Sequence, residues 1–98
     1  MLKSVMIVYN QANTERVEYL LDTLGVRGFT FFENVQGRGT NGGEPRRGTH
    51  AWPEMNSAMI CVVDEQMVEP LLEGVEKLDA RNKEVGVKAF VWAIEQMV

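Results

Sequence analysis

An α+β fold, with four strands and two helices in the order β-α-β-β-α-β, is what this sequence predicts. Three observations lead there. Short apolar runs rich in β-branched and aromatic residues lie at 5–9, 29–35, 58–63 and 87–94. After the first and the third of them, apolar residues recur at helical rather than strand spacing. Between the second and third runs, the segment Gln36 to Asn56 has hardly a hydrophobic side chain, so these two strands are joined by a long connection.

Val5 to Tyr9 opens the chain as a strand, and Asn10-Gln11-Ala12-Asn13 breaks it. Asn13 is a good N-cap, with Glu15 placed favourably near the positive end of the helix dipole. Val17, Leu20, Leu21 and Leu24 then form one stripe at i, i+3, i+4, i+7. Gly25 ends the helix, because glycine adopts the left-handed conformation without steric cost. Phe29 to Val35 is the second strand and Ala58 to Val63 the third. Asp64 is placed to cap the second helix, whose apolar positions are Val68, Leu71, Leu72, Val75 and Leu78. Pro70 lacks the N–H that an interior helical position donates, which predicts a kink or a short first turn restarting near Glu69. Glu73 and Lys77 lie one turn apart on the wet face in the favourable order. A polar hinge at Arg81-Asn82-Lys83-Glu84 precedes the fourth strand, Val87 to Ile94.

This order is the split-βαβ pattern of ferredoxin-like folds, with a four-stranded antiparallel sheet and a long β2–β3 loop. Two helices cover only one face of such a sheet. Yet the runs at 5–9, 58–63 and 87–94 do not alternate; they are nearly continuously apolar, as strands buried on both faces are. Another subunit packed sheet against sheet is the economical cover. The alternative is a monomer with exposed apolar surface.

Ninety-eight residues make one domain, 1–98, with a single modest core. A net charge of −4 argues against a nucleic-acid partner, which needs a basic face. The sole cysteine, Cys61, excludes an internal disulfide and a cysteine-rich zinc site. Met1-Leu2-Lys3 runs straight into the first strand, so no cleavable signal is expected. No apolar run reaches the roughly 20 residues that span a bilayer, so no membrane insertion is expected either. A cytoplasmic location follows.

The segment 36–56 concentrates the chemistry. It holds five of the nine glycines, three of the ten basic residues and the only histidine. Structureless loops beyond about 12–15 residues are uncommon in compact domains unless functional or disordered. Gly37-Arg38-Gly39-Thr40-Asn41-Gly42 matches a G-x-G-x-x-G string, but no helix periodicity follows it, and the dinucleotide reading fails. More general chemistry survives. Glycines let backbone N–H groups converge on an anion, and Arg38, Arg46 and Arg47 add bidentate donors for phosphate or carboxylate. The same arginines could dock on an acidic protein surface, or merely keep a hairpin extension soluble. His50 stands beside Trp52 with Glu54 as its nearest carboxylate, too few ligands for a metal by themselves. Cys61 reads as a small core hydrophobe. No nucleophile–base pair or acid–base carboxylate pair is placed by spacing, so the chain is not expected to be an enzyme.

With topology and loop together, the chain resembles the PII-like signalling proteins over nearly all its length. Their long β2–β3 connection, the T-loop, opens with V-K-G-F-G and closes with Y-R-G. Here Val35-Gln36-Gly37-Arg38-Gly39 and Arg46-Arg47-Gly48 stand at those places. The family's G-K-I-F-V run is echoed by Val87-Lys88-Ala89-Phe90-Val91. There are departures. Arg46 replaces the tyrosine that the family uridylylates, and the glycine-rich B-loop is reduced to Asn82–Lys88. The chain ends at Val98, before the segment that helps close the family's nucleotide site. Thr49-His50-Ala51-Trp52-Pro53-Glu54 looks more like the divergent PII-like branch. The resemblance implies a homotrimeric, non-enzymatic sensor. A small anionic effector, an adenine nucleotide being one candidate, would sit between subunits at Gly37, Gly39, Arg47 and Lys88, with Arg38, Arg46 and Gly48 beside them. Loop 36–56 would meet a partner protein. The CutA-type trimers of the same fold suggest a second reading, a divalent metal held by His50, Glu54 and Cys61.

Overall fold

The computed structural model describes residues 1–38, 45, 47–48, 55–81 and 86–98. Strand β1 (Leu2–Asn10) leads through a 3-10 turn (Gln11–Asn13) into helix α1 (Thr14–Thr23). Strand β2 (Thr30–Val35), strand β3 (Asn56–Asp64), helix α2 (Glu65–Arg81) and strand β4 (Lys88–Ala93) complete the order. The sheet runs β2-β3-β1-β4, every neighbouring pair antiparallel. This is the ferredoxin-like α+β fold. β1 and β3 extend beyond the apolar runs that announced them, because their ladder recruits polar residues from Lys3 to Asn10.

Both helices lie on one face. Val5, Ile7 and Tyr9 of β1 and Met59, Cys61 and Val63 of β3 meet Val17, Leu21, Leu71 and Val75 there. Leu20, Leu24, Val68 and Leu78 pack against this core from its rim, so the helical stripes fall where their spacing put them.

Two local expectations are corrected. Asn13 occupies the position before α1 but makes no side-chain cap; its Oδ1 accepts from Arg16 instead, at 3.4 Å. The 3-10 turn supplies the reason. It is capped by Asn10, whose Oδ1 accepts from the Ala12 N–H at 3.0 Å, and its Gln11 carbonyl accepts the Thr14 N–H. The helix thus begins on bonds already made. In α2, Pro70 is the second. The helix runs unbroken from Glu65 to Arg81 with no restart near Glu69. Pro70 and Gln66 are both exposed, so the Gln66 carbonyl that loses its N–H partner can turn to water. The ladder of β2 is irregular: its register shifts between Phe32 and Val35, with Asn34 at φ 59°. Asparagine tolerates that left-handed backbone better than most residues, and the bulge blunts an edge strand.

The end of α1 follows its sequence. Gly25 has φ 77°, the Gly25 N–H donates to Asp22 O at 3.0 Å, and the Val26 N–H donates to Leu21 O at 2.9 Å. That pair of bonds closes the helix and turns Val26 inward.

Among the described residues, no helix or further strand covers the other face of the sheet. Phe32, Ala58, Val8 and Lys88 form one row across it by register, Thr30, Ile60, Met6 and Phe90 the next, Val62, Ser4 and Trp92 the last. Phe90 is 54% exposed and Trp92 46%. A core confined to one face makes each of its members costly to lose. Leu71→Ala, truncating a fully buried side chain, is expected to lower unfolding free energy by about 2–5 kcal/mol, measured by urea denaturation.

Candidate functional site

The ladder fixes which candidate residues share an end of the sheet. β2 ends at Val35 opposite Asn56, β1 ends at Asn10 opposite the same Asn56, and β4 begins with Lys88 opposite Val8. Gly37 and Arg38, just past β2, and Lys88, on β4, therefore lie at the same end of the sheet but at its two opposite edges. Gly37 is half-buried, and a Cβ there would stand 2.9 Å from the Asn56 side-chain nitrogen. Arg47 and Gly48 are exposed, and Gly48 lies against the Met55 side chain with φ 68°, a backbone conformation that residues with a side chain rarely adopt. Lys88 is exposed in the first row of the bare face. Gly39 and Arg46 of the expected set lie outside the described residues, as do His50 and Glu54 of the metal reading.

Charge is segregated. None of Arg38, Arg47 or Lys88 has a carboxylate partner among the described residues, where the one ion pair joins the Met1 ammonium to Glu65 at 3.5 Å. Most carboxylates lie on the helices, with Glu69, Glu73 and Glu76 exposed. Among the described residues, the loop end of the sheet thus presents cations that no carboxylate pairs with, an arrangement that suits an anion.

Cys61 does not join this end. It lies on the helix-facing side opposite Val5, 2% exposed, and burial pushes its thiol above the ordinary value of 9.0. A thiol held protonated in an apolar core is a poor metal ligand. Among the described residues, no three His, Cys, Asp or Glu side chains group closely enough to hold a metal ion. No described helix is long and apolar enough to cross a membrane.

Sequence reading missed a second feature. At the opposite end of the sheet an open cleft of about 410 Å³ is lined by Leu2, Arg27, Val62, Asp64, Gln66 and Met67, among others. Its floor joins the start of β1, the turn after α1 and the β3–α2 junction. The one hint was the Gly25-Val26-Arg27-Gly28 turn, which has no periodicity to mark it. Eight steps of β1 separate Leu2 from Asn10, about 26 Å at strand rise, so one small ligand cannot touch both ends of one chain.

The model of the nitrogen regulatory protein P-II family matches residues 2–98. The chain belongs to the P-II family. Solved structures agree. CPII, a nitrogen regulatory PII-like protein from Thiomonas intermedia K12 bound to ADP, AMP and bicarbonate, is 30% identical with a TM-score of 0.76. That match covers 93% of this chain and 83% of CPII. CPII bound to ADP and bicarbonate matches at 31% identity and a TM-score of 0.74, covering 93% and 83%. The apo form of CPII matches at 27% and 0.71, covering 93% and 86%. A search of curated protein sequences found no match. The PII-like resemblance read from Val35–Gly39, Arg46–Gly48 and Val87–Val91 is thereby established at the level of the family, which is one of regulatory proteins.

In this P-II protein the Cys61 proton links folding to alkaline pH. Below pH 9 folded and unfolded chains both hold it, and its contribution to stability is complete. Above that, the unfolded chain ionises first, so stability falls as pH rises, by at most about 1.4 kcal/mol per pH unit. Urea denaturation from pH 8 to 10 is expected to show this slope, and Cys61→Ala to flatten its onset.

Proposed function

We propose that this P-II protein is a trimeric regulator that acts by binding rather than turnover. Residues 1–98 form one domain, and three copies pack their bare sheet faces together. A small anionic effector sits between subunits, held by Gly37, Arg38, Gly39, Arg46, Arg47, Gly48 and Lys88. Its binding biases loop 36–56 between states, one of which meets a partner protein. A ligand shifts such an equilibrium only by its differential affinity for the two states.

The observation that carries the reading is the position of Lys88. It stands on the apolar face away from the helices and at the loop end of the sheet, the end that also carries Arg38, which has no carboxylate partner among the described residues. Adenine nucleotides with bicarbonate are the effector candidates, because CPII is bound to ADP, AMP and bicarbonate in structures about 30% identical to this chain. Both are anions that bidentate arginines and backbone N–H groups recognise. The distance between the loop end and the far cleft also favours a site shared between subunits.

Calorimetric titration with ADP, AMP and bicarbonate tests the site. Arg47→Ala and Lys88→Ala are each expected to weaken effector binding roughly tenfold to a hundredfold, the loss of one charge-assisted contact. Absence of heat for all three ligands with the unaltered protein would sink the assignment. Sedimentation tests the assembly separately. The unaltered chain should sediment as a trimer of 11.1 kDa protomers at micromolar concentration, and Phe90→Asp, placing a charge on the packed face, should yield single chains.

A further inference from the structure

Three stretches of chain converge on Met55 and Asn56, where β3 starts. The Gln11 N–H donates to Met55 O at 2.9 Å, which ties the 3-10 turn after β1 to this point. Asn56 stands opposite both Asn10 and Val35 in the ladder. Gly37, two residues past β2, lies so near that a Cβ there would stand 2.9 Å from the Asn56 side-chain nitrogen. The third approach is made by Gly48. A Cβ on it would stand 2.5 Å from Met55 Sδ, 3.1 Å from Cγ and 3.5 Å from Cε, so the outer half of the Met55 side chain lies along the Gly48 backbone. Met55 is half-buried, whereas Gly48 and Arg47 are exposed. Residues 48 and 55 are seven steps apart, and seven extended residues reach roughly 24 Å, so connectivity does not force this contact.

We propose that the Met55 side chain is a clasp that seats Gly48 and thereby fixes where Arg47 stands. The residue types suit the task. Methionine is unbranched and polarizable, so it conforms to an irregular surface, and a backbone without Cβ lets the thioether come close. The Met55 carbonyl fastens the clasp to the end of β1 through Gln11, so the side chain works from a fixed base. Dispersion contacts are individually weak, and the clasp biases the returning chain rather than locking it. Arg38 follows Gly37 and Arg47 precedes Gly48, so both arginines are tied to consecutive residues at the start of one strand. Met55 is thus a positioning residue for Arg47, and holding that arginine in advance lowers the ordering cost of binding. The binding role of Arg47 rests on the function proposed above; the clasp itself does not.

Matched peptide bonds make the test internal. Arg47–Gly48 and Arg27–Gly28 present trypsin with the same pair of residues, and Arg27 lines the cleft at the opposite end of the sheet. Their initial cleavage rates, followed by mass spectrometry without effector, report how firmly each stretch is held. Met55→Ala is expected to speed cleavage at Arg47–Gly48 at least about threefold and to leave Arg27–Gly28 unchanged. Met55→Leu, which keeps apolar bulk at the position, restores the slow rate. An unaltered rate at Arg47–Gly48, an equal rise at Arg27–Gly28, or Met55→Leu behaving as Met55→Ala overturns the proposal. Should Met55→Ala fold poorly, the unaltered protein decides. A nuclear Overhauser effect between the Met55 methyl and the Gly48 α-protons is expected, and its absence overturns the clasp. Neither measurement uses an effector, so failure here leaves the calorimetric test of the binding site standing.

Discussion

A four-stranded sheet has two faces, and this chain has two helices to lay on it. Everything else descends from that shortage. The helices bury Val5, Ile7, Tyr9, Met59 and Cys61 against their own stripes, and the opposite face keeps Phe32, Phe90 and Trp92 in the open. Apolar area of this size is worth roughly 25 cal/mol for each Å² removed from water, so leaving it exposed is a standing drive toward association. The nearly unbroken apolar character of β1 and β3 is the sequence-level trace of that two-sided demand.

Antiparallel pairing then sorts the chemistry to the ends. The same register that stacks Val5 on Cys61 carries Val35, Asn56, Asn10 and Lys88 to one end. Cationic side chains that a linear reading finds far apart, at 38, 47 and 88, are mounted there without carboxylates among the described residues to quench them. The carboxylates go to the helices, whose wet faces need solvation more than they need anions elsewhere. The overall charge of −4 conceals this division, which is why composition alone argued only against nucleic acid.

The loop root shows how local polar chemistry serves such a site. β1 does not simply stop at Asn10; a capped 3-10 turn and the Gln11–Met55 bond carry its pairing a step further. Buried polar atoms at that corner cost more than apolar ones would unless matched, and a corner of that kind favours one arrangement over many.

The sequence by itself determined the element order, the helical stripes, the Gly25 stop and the PII-like likeness, because these rest on periodicity, on turn chemistry and on short motifs within one stretch. It also placed Gly37, Arg38, Arg47, Gly48 and Lys88 among the candidates, though not the end of the sheet that Gly37, Arg38 and Lys88 share. Misread were Asn13 as a cap and Pro70 as a break, since a preceding turn and a wet carbonyl decide those positions and neither is visible in local propensity. Cys61 was legible as a core residue; tertiary structure alone shows that it lies on the helix-covered face, that Lys88 stands on the other face, and that a cleft opens at the far end of the sheet. Each of these depends on cross-strand register. Register here is a relation between residues 46 to 90 positions apart, which no window of sequence contains.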